Sequence, residues 1–390
     1  MTIAQHALIT SAAGTNTVTL SNAGPVSGNA AVEGYVLAGA GNSTFTLGAA
    51  SKNITTGSAG SDTIVVGTLT ATGTFNTVSG DTVSLDTGID ISAVNGEGVG
   101  AGSALAADKL TLVSGASVTM TAAQNNSFDS TVTAAGTETI TLSDASAASG
   151  IAEVERYVLA AGAQSFTLGA SGQNVTLDST GSSGSVAIGT GTLTSVTGTL
   201  DDGTGNDTIA LTLATTGVDI SSANTTDVDS IALASGVSAT MTIAQHALIT
   251  SAAGNNTVTL SDAGTVSGNA AVESYNLAAG SNNFTTDTVG QTVVGNTGVD
   301  TIIGSSGNDV IIGGDGDDLL TGGTGVDVLT GGIGADKFAF GTADTAATSY
   351  LDINLSSSFN NGDQFNGDFD IIRGFAAGVD KVDIDNAVTF

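Results

Sequence analysis

Apolar residues recur along this chain at short, nearly regular intervals. In the first hundred positions the apolar runs centre on Val36, Phe45, Ile54, Ile64, Phe75 and Val83, in steps of 8 to 11 residues. Around these centres polar and apolar residues alternate, as in "TFTL" (44–47) and "TVSL" (82–85), and Gly, Ser, Asn or Asp separates the runs. A period of two predicts short half-buried strands, and the separators predict tight turns. Equal spacing with little helical periodicity suits an all-β parallel solenoid, whose coils stack strand on strand. A meandering sandwich is the competing arrangement. Only "AQHALI" (4–9 and 244–249) and "AAQNNSF" (122–128) read as single helical turns.

A longer repeat overlies this beat. Residues 1–14, "MTIAQHALITSAAG", recur unchanged at 241–254, and the match runs on to Tyr35 and Tyr275. A degraded copy starts at Met120, so the starts lie 119 and 121 residues apart. Residues 1–294 therefore read as a repetitive solenoid built of long units. Met1 matches the interior residue Met241, so it need not mark a natural start.

From Gly295 the beat becomes strict. The chain reads GNTGVDTII, GSSGNDVII, GGDGDDLLT, GGTGVDVLT and GGIGADKFA without a gap, placing Asp300, Asp309, Asp318, Asp327 and Asp336 nine residues apart. Gly298, Gly307, Gly316, Gly325 and Gly334 keep the same period. Glycine accepts positive φ at no steric cost, so a six-residue loop rich in it can turn its carbonyl oxygens to one side. The three residues that follow form a strand, and Ile302, Ile311, Leu320, Leu329 and Phe338 are expected to enter a thin core. Loop and strand then alternate edges, so one coil takes 18 residues and Asp300 lies over Asp318, Asp309 over Asp327, and Asp318 over Asp336. Paired loops would offer a carboxylate each plus carbonyls, which is the all-oxygen set of six to eight ligands that Ca²⁺ takes. The plainer reading of the same residues is a set of Gly/Asp turns in an ordinary β protein.

Five uninterrupted copies of this motif resemble the RTX repeats of bacterial proteins exported by type I systems. The resemblance implies Ca²⁺ as the cofactor and a β-roll over residues 295–340. It also implies a ligand set in which the earlier loop of a pair gives oxygens from its second, fourth and sixth positions, and the later loop from its first, third and sixth. Carried onto this chain, one ion is held by Asn296, Gly298, Asp300, Gly313, Asp315 and Asp318. A second takes Ser305, Gly307, Asp309, Gly322, Thr324 and Asp327, and a third takes Gly314, Gly316, Asp318, Gly331, Ile333 and Asp336. The second position is Asn296 and Ser305 where the later copies have Gly. Asn tolerates left-handed backbone better than Ser, which makes the 309/327 pair the weakest. Upstream, "GSAGSDTIV" around Asp62 and "DGTGNDTIA" around Asp207 each fit one isolated copy, while Ser185 replaces the carboxylate in the middle unit. A lone loop lacks its partner two copies away, so these read as degenerate solenoid turns.

Residues 341–390 break the period. "FDIIRGFAAGVDKVDI" (369–384) resembles the segment that follows RTX arrays and leads to an export signal, and Ile371, Ile372, Phe375, Val379, Val382 and Ile384 are expected to cover the last open coil.

Charge points the same way as the motif. The chain has 390 residues with 37 acidic and 6 basic side chains, a formal net charge of −31. Nucleic acid and anionic membranes both need a basic surface, so neither is an expected partner. The 40% hydrophobic content argues against disorder, and the absence of Cys excludes disulfides. No apolar run approaches membrane-spanning length, and "MTIAQHALIT" lacks a basic n-region and a cleavage pattern. That leaves a cytosolic protein or export directed from elsewhere in the chain; the resemblance favours an extracellular or bacterial cell-surface location.

Nothing in the chain reads as an active site. His6 and His246 hold one repeat position where the middle copy has Asn125, and no HExxH, GxSxG or P-loop motif is present. Acidic pairs such as Asp201/Asp202 and Asp317/Asp318 have the chemistry of a glycosidase dyad, but solvated or calcium-bound carboxylates explain them more simply. Long Thr/Gly/Ala-rich units joined to RTX copies resemble bacterial S-layer proteins and large RTX adhesins. Three readings stay open: a self-associating layer or matrix protein exported by type I machinery, an adhesin binding a glycan, surface or ice, and the non-catalytic tail of a secreted enzyme.

Overall fold

Strands of two to six residues make up nearly all the regular structure, and within them every second side chain is buried, as in Thr82–Leu85 and Thr257–Leu260. The computed structural model describes residues 1–10, 12–57, 60–67, 70–78, 80–95, 109–128, 131–133, 136–160, 164–177, 185–203, 208–340, 371–376 and 379–384. It divides into two compact units. One comprises Met1–Leu193, Thr197–Leu211 and Ala223–Asp229; the other comprises Thr194–Val196, Thr212–Ser222 and Ser230–Phe390.

Each unit is a parallel β-solenoid. In the first, strands Pro25–Ser27, Thr44–Thr46, Thr63–Val66, Thr82–Leu85 and Lys109–Leu112 pair in sequence along one sheet, all parallel. Neighbouring strands in a sheet are one coil apart in sequence, which is why they run the same way. Coil length varies here: Thr44 pairs with Thr63, Thr63 with Thr82, and Thr82 with Lys109. Phe45, Ile54, Ile64, Phe75 and Val83 are buried as expected. Val36 is not the inward residue of its strand; Tyr35 and Leu37 are. The correction has a physical cause, because the Tyr35 hydroxyl finds polar partners inside, in the His6 ring at 3.0 Å and the Asn29 N–H at 2.6 Å.

The helical turns are Ile3–His6, Ala122–Asn125 and Ile243–His246. Thr2, Thr121 and Thr242 cap them, and Gln5, Gln124 and Gln245 return a bond to the cap backbone. This reciprocal capping box closes a turn too short to be stable alone.

In the second unit the coil becomes regular. One sheet stacks Thr257–Leu260, Ser274–Asn276, Thr292–Val294, Val310–Asp315 and Val328–Ile333; the facing sheet stacks Asn283–Thr285, Thr301–Ile303, Leu319–Thr321 and Lys337–Phe340. Pairing passes through position 294/295 without a break, so Gly295 marks a change of loop chemistry within one stack. Between the sheets lie two inner rows. Tyr275, Val293, Ile311 and Leu329 face Phe284, Ile302, Leu320 and Phe338, and all are at most 1% exposed. Such a core is one side chain thick per sheet, so most of its stability comes from stacking on neighbouring coils.

Within 341–390, residues 341–370, 377–378 and 385–390 lie outside the described residues. Ile371–Arg373 pairs with Val328–Thr330, and Lys381–Ile384 pairs with Lys337–Phe340. This segment is a further coil in register with the roll. Ile372 and Phe375 are buried in it, whereas Val379 is 48% exposed.

Candidate calcium-binding roll

The five periodic aspartates sit at the ends of short strands, where the chain turns the edge of the coil. All are buried, although each carries a formal charge. One carboxylate oxygen of each is accounted for by the neighbouring coil. The N–H of Asp300 donates to Asp318 Oδ1 at 2.8 Å, that of Asp309 to Asp327 Oδ1 at 2.7 Å, and that of Asp318 to Asp336 Oδ1 at 3.0 Å. Asn282 and Gln291 donate in the same way to Asp300 and Asp309, both at 2.7 Å. Two ladders of carboxylate-to-backbone bonds therefore run along the stack, one on each edge.

The second oxygen has a different fate. Oδ2 of Asp300, Asp318 and Asp336 is buried and meets no hydrogen-bond donor. Burying an unpaired charged oxygen costs several kcal/mol or roughly that order unless a counter-charge meets it. Burial accordingly lifts the carboxyl groups of Asp300, Asp309 and Asp336 above their ordinary range, and that of Asp318 up to about 6. Asp309 differs, because its Oδ2 accepts from the Thr286 hydroxyl at 3.2 Å.

Glycine makes room beside these oxygens. A Cβ on Gly313 would stand 2.3 Å from Asp318 Oδ2 and 2.7 Å from the Gly331 carbonyl oxygen. On Gly295 it would stand 2.5 Å from Asp300 Oδ2 and 2.2 Å from the Gly313 carbonyl. The first glycine of every repeat thus lies against its own repeat's carboxylate, and Gly295, Gly304 and Gly313 also lie against a carbonyl from two repeats on. Gly298, Gly307, Gly316, Gly325 and Gly334 all have positive φ, as do Gly314, Gly323 and Gly332.

The residues expected to form the first and third ion sites are brought onto one edge. Thr297 bridges to Asp315, Gly314 pairs with Gly332, and Asp315 pairs with Ile333. Within that edge the carbonyls of Asn296, Asp315 and Ile333 each accept a backbone hydrogen bond, from Asp315, Gly298 and Gly316 respectively. A carbonyl oxygen has two lone pairs, so each retains one for a cation. Gly307 and Thr324 are bonded across the other edge at 2.9 Å, and Ser306 bridges to Thr324. The two departures from glycine separate here. Asn296 takes a left-handed φ of 69°, as its glycine counterparts do. Ser305 does not; its N–H and hydroxyl both bond Thr286, at 2.8 and 2.6 Å. An oxygen-only donor set with buried, unmatched carboxylate oxygens fits Ca²⁺ on the Asp300/318/336 edge, and fits it less fully at Asp309.

Sequence reasoning missed Asp380. Its Oδ1 accepts from the N–H of Asp336 at 3.1 Å, extending the ladder by one rung, while Oδ2 accepts from Ala376 at 2.7 Å. The signal was available in "GVD" at 378–380, the tripeptide of 298–300 and 325–327. The insertion before it breaks the period.

Upstream the same ladder exists with its second oxygens satisfied. Asp62 Oδ1 accepts from Ser43 at 2.7 Å and Oδ2 from Gly57 at 3.1 Å. Asp81 accepts from Asp62 at 2.8 Å, from Val78 at 2.9 Å and from the Thr56 hydroxyl. The isolated motif at Asp62 therefore closes on itself. Asp207 lies outside the described residues, and Ser185 begins the strand Ser185–Gly189. Asp201, Asp202 and Asp227 bring carboxylate oxygens within 4.8 Å of one another, but all three are half-exposed. His6 and His246 are buried against tyrosine hydroxyls at 3.0 Å.

A β-solenoid whose regular coils carry oxygen-lined glycine loops defines the class, and sequence comparison agrees with it. Residues 294–329 and 313–342 match the RTX calcium-binding nonapeptide repeat, in four copies. Residues 294–342 therefore carry RTX repeats, which are calcium-binding nonapeptides. No curated protein and no solved structure shows significant similarity to the chain.

Proposed function

We propose that this is a secreted, non-enzymatic structural protein of a bacterial surface layer or matrix, whose roll folds on binding calcium outside the cell. The supporting observation is the set of buried, unmatched Oδ2 atoms of Asp300, Asp318 and Asp336, 18 residues apart on one edge. Where calcium is scarce those carboxylates and Asp315 and Asp317 repel one another, and the chain gains more by keeping them in water. Where calcium is plentiful the ion supplies the missing charge, and metal binding becomes folding free energy. Extracellular calcium modules bind with Kd on the order of 10⁻⁴–10⁻³ M, which would keep the roll open inside a cell and closed outside it. In this reading the ligands are those assigned by motif position, with the Asp300/318 and Asp318/336 pairs stronger than Asp309/327.

A structural role rests on shape and charge. Parallel coils present long rows of outward Thr, Ser and Val side chains, and a surface with net charge −31 associates with copies of itself only when cations bridge it. Export by a type I system and an extracellular location belong to this reading, supported by the RTX repeats. Far-UV circular dichroism of the full chain in excess calcium and in EGTA tests the folding claim, with electron microscopy of the same samples. The expected result is a large gain of β signal with calcium and ordered sheets or fibres that chelator dissolves. Equal β signal in EGTA would sink the folding switch, and soluble monomers at saturating calcium would favour an adhesin.

A further inference from the structure

The three long copies differ at the position of Asn16, Glu138 and Asn256, where Glu138 and Asn256 are buried. Copies one and three read Asn-Thr-Val-Thr-Leu at 16–20 and 256–260, and the middle copy reads Glu-Thr-Ile-Thr-Leu at 138–142. In copy three the Asn256 amide spans a gap. Its Oδ1 accepts from the Val237 N–H at 2.8 Å, and its Nδ2 donates to the carbonyls of Ala253 and Gly254 at 3.0 and 3.4 Å. Asn16 donates likewise to Ala13 and Gly14, at 3.1 and 2.8 Å. The donor half of the amide holds the Ala-Ala-Gly turn against the strand.

A carboxylate cannot donate, so Glu138 cannot repeat this. Its Oε1 accepts from the Gly115 N–H at 3.1 Å. Its Oε2 is buried and has no partner, and the whole residue is 0% exposed. Gly136 differs too, with φ 124° where Gly14 and Gly254 have 82° and 73°. A second carboxylate stands one coil on. Glu155 Oε2 accepts from the Glu138 N–H at 3.0 Å, as Glu33 and Glu273 do for Asn16 and Asn256 at 2.8 and 2.7 Å. At this position, then, only the middle copy stacks two carboxylates on adjacent coils, Glu138 and Glu155. Among the described residues the one ion pair is Lys337–Asp383, so no side-chain cation of theirs pairs with Glu138 or Glu155.

We propose that Glu138 is the central ligand of a cation site in the first unit, separate from the roll. Its donors are Glu138 Oε2 and, one coil on, the Glu155 carboxylate that accepts the Glu138 N–H. The ligand class is a hard divalent cation, Ca²⁺, because both donors are anionic oxygens. The replacement of an amide donor by an unpaired buried oxygen is the observation that carries it. The site does not depend on the ladder of the roll, so either can fail alone.

The test uses the full chain and calcium alone as the probe. Glu138→Asn restores the side chain of copies one and three. Equilibrium dialysis with metal counting at saturating calcium should find one ion fewer in E138N than in the parent, with the roll's calcium-induced dichroism unchanged. Equal stoichiometry would overturn the proposal. Should E138N fold poorly, Glu138→Gln gives the same count with side-chain length preserved. An infrared signature of a neutral carboxylic acid that persists in the calcium-saturated parent and is lost in E138Q would also overturn it, since Glu138 would then hold a proton.

Discussion

Asp336 donates its backbone N–H to the carboxylate of Asp380 at 3.1 Å, across 44 residues of sequence. The bond repeats what Asp318 does to Asp336 and Asp300 does to Asp318. The difference is at the other oxygen: Asp380 Oδ2 accepts from Ala376, while those of Asp300, Asp318 and Asp336 accept nothing. Metal dependence in this roll is therefore a property of one oxygen per rung, which can be altered one rung at a time.

Asp318 belongs to two proposed ion sites, and replacing it should have opposite effects in the two metal states. In EGTA, where the parent roll is open, Asp318→Asn lowers the cost of burying this position and adds a donor, so the variant should keep more β signal than the parent. In calcium it loses a shared ligand, and the midpoint of the calcium titration should rise about tenfold or more, on the order of 1.4 kcal/mol. Dichroism-monitored titration begun in EGTA reads both. A variant weaker in both states would show that the aspartate serves packing alone.

Gly313→Ala should abolish or blunt the calcium response. Its Cβ would intrude 2.3 Å from Asp318 Oδ2, and overpacking of this kind costs about 1–3 kcal/mol. Gly67→Ala is the control, since nothing lies within 4 Å of its added carbon; it should change stability by no more than about 0.5 kcal/mol. Thermal unfolding in saturating calcium separates the two.

Asn296 is the one described residue other than glycine with positive φ, at 69°. Both Asn296→Gly and Asn296→Ala lose the bond from Nδ2 to the Leu277 carbonyl. Only Ala also bears the left-handed backbone cost, so it should be less stable than Gly by about 1–2 kcal/mol. Equal denaturation midpoints for the pair would contradict a left-handed backbone there.

Burial lowers the pKa of His246 below 6.5. The native state then binds fewer protons than the unfolded chain, so this contribution is complete above pH 6.5 and is lost as pH falls from there through the native pKa. His6 has the same sign. His246→Asn, the choice made by the middle copy at Asn125, should lessen the loss of stability between pH 7.5 and 5. Denaturation of parent and variant across that range, at fixed calcium, measures the difference; parallel pH profiles would show that burial does not shift the imidazole from its unfolded value.

The strand rhythm was legible because a one-residue-thick core demands an apolar side chain at each coil, and Phe45, Ile64 and Ile311 occupy those places. Aspartates at intervals of nine were legible for a similar reason, since the roll has no slack in coil length. Tyr35 was hidden by Val36, because hydropathy favours the aliphatic residue and cannot see the His6 and Asn29 partners that let a phenol go inside. Asp380 was hidden by the inserted residues before it. The lone motif at Asp62 read as a solenoid turn because it lacks a partner loop, but the Gly57 N–H that reaches its second oxygen was not visible. Glu138 became meaningful only once Asn16 and Asn256 showed what that position does.

The ladders also give the roll a polarity. Every rung donates from an earlier residue and accepts on a later one, so a coil's backbone is satisfied only when the coil after it is in place. Asp380 alone on its edge has a carboxylate that both accepts the ladder and closes on its own turn without metal. Order should therefore nucleate at the C-terminal coil and propagate backward, one ion-dependent step at a time, until the neutral side chains of Asn282 and Gln291 take over. A chain built this way resembles a zipper with its slider fixed at the far end, and the calcium concentration decides how far it runs.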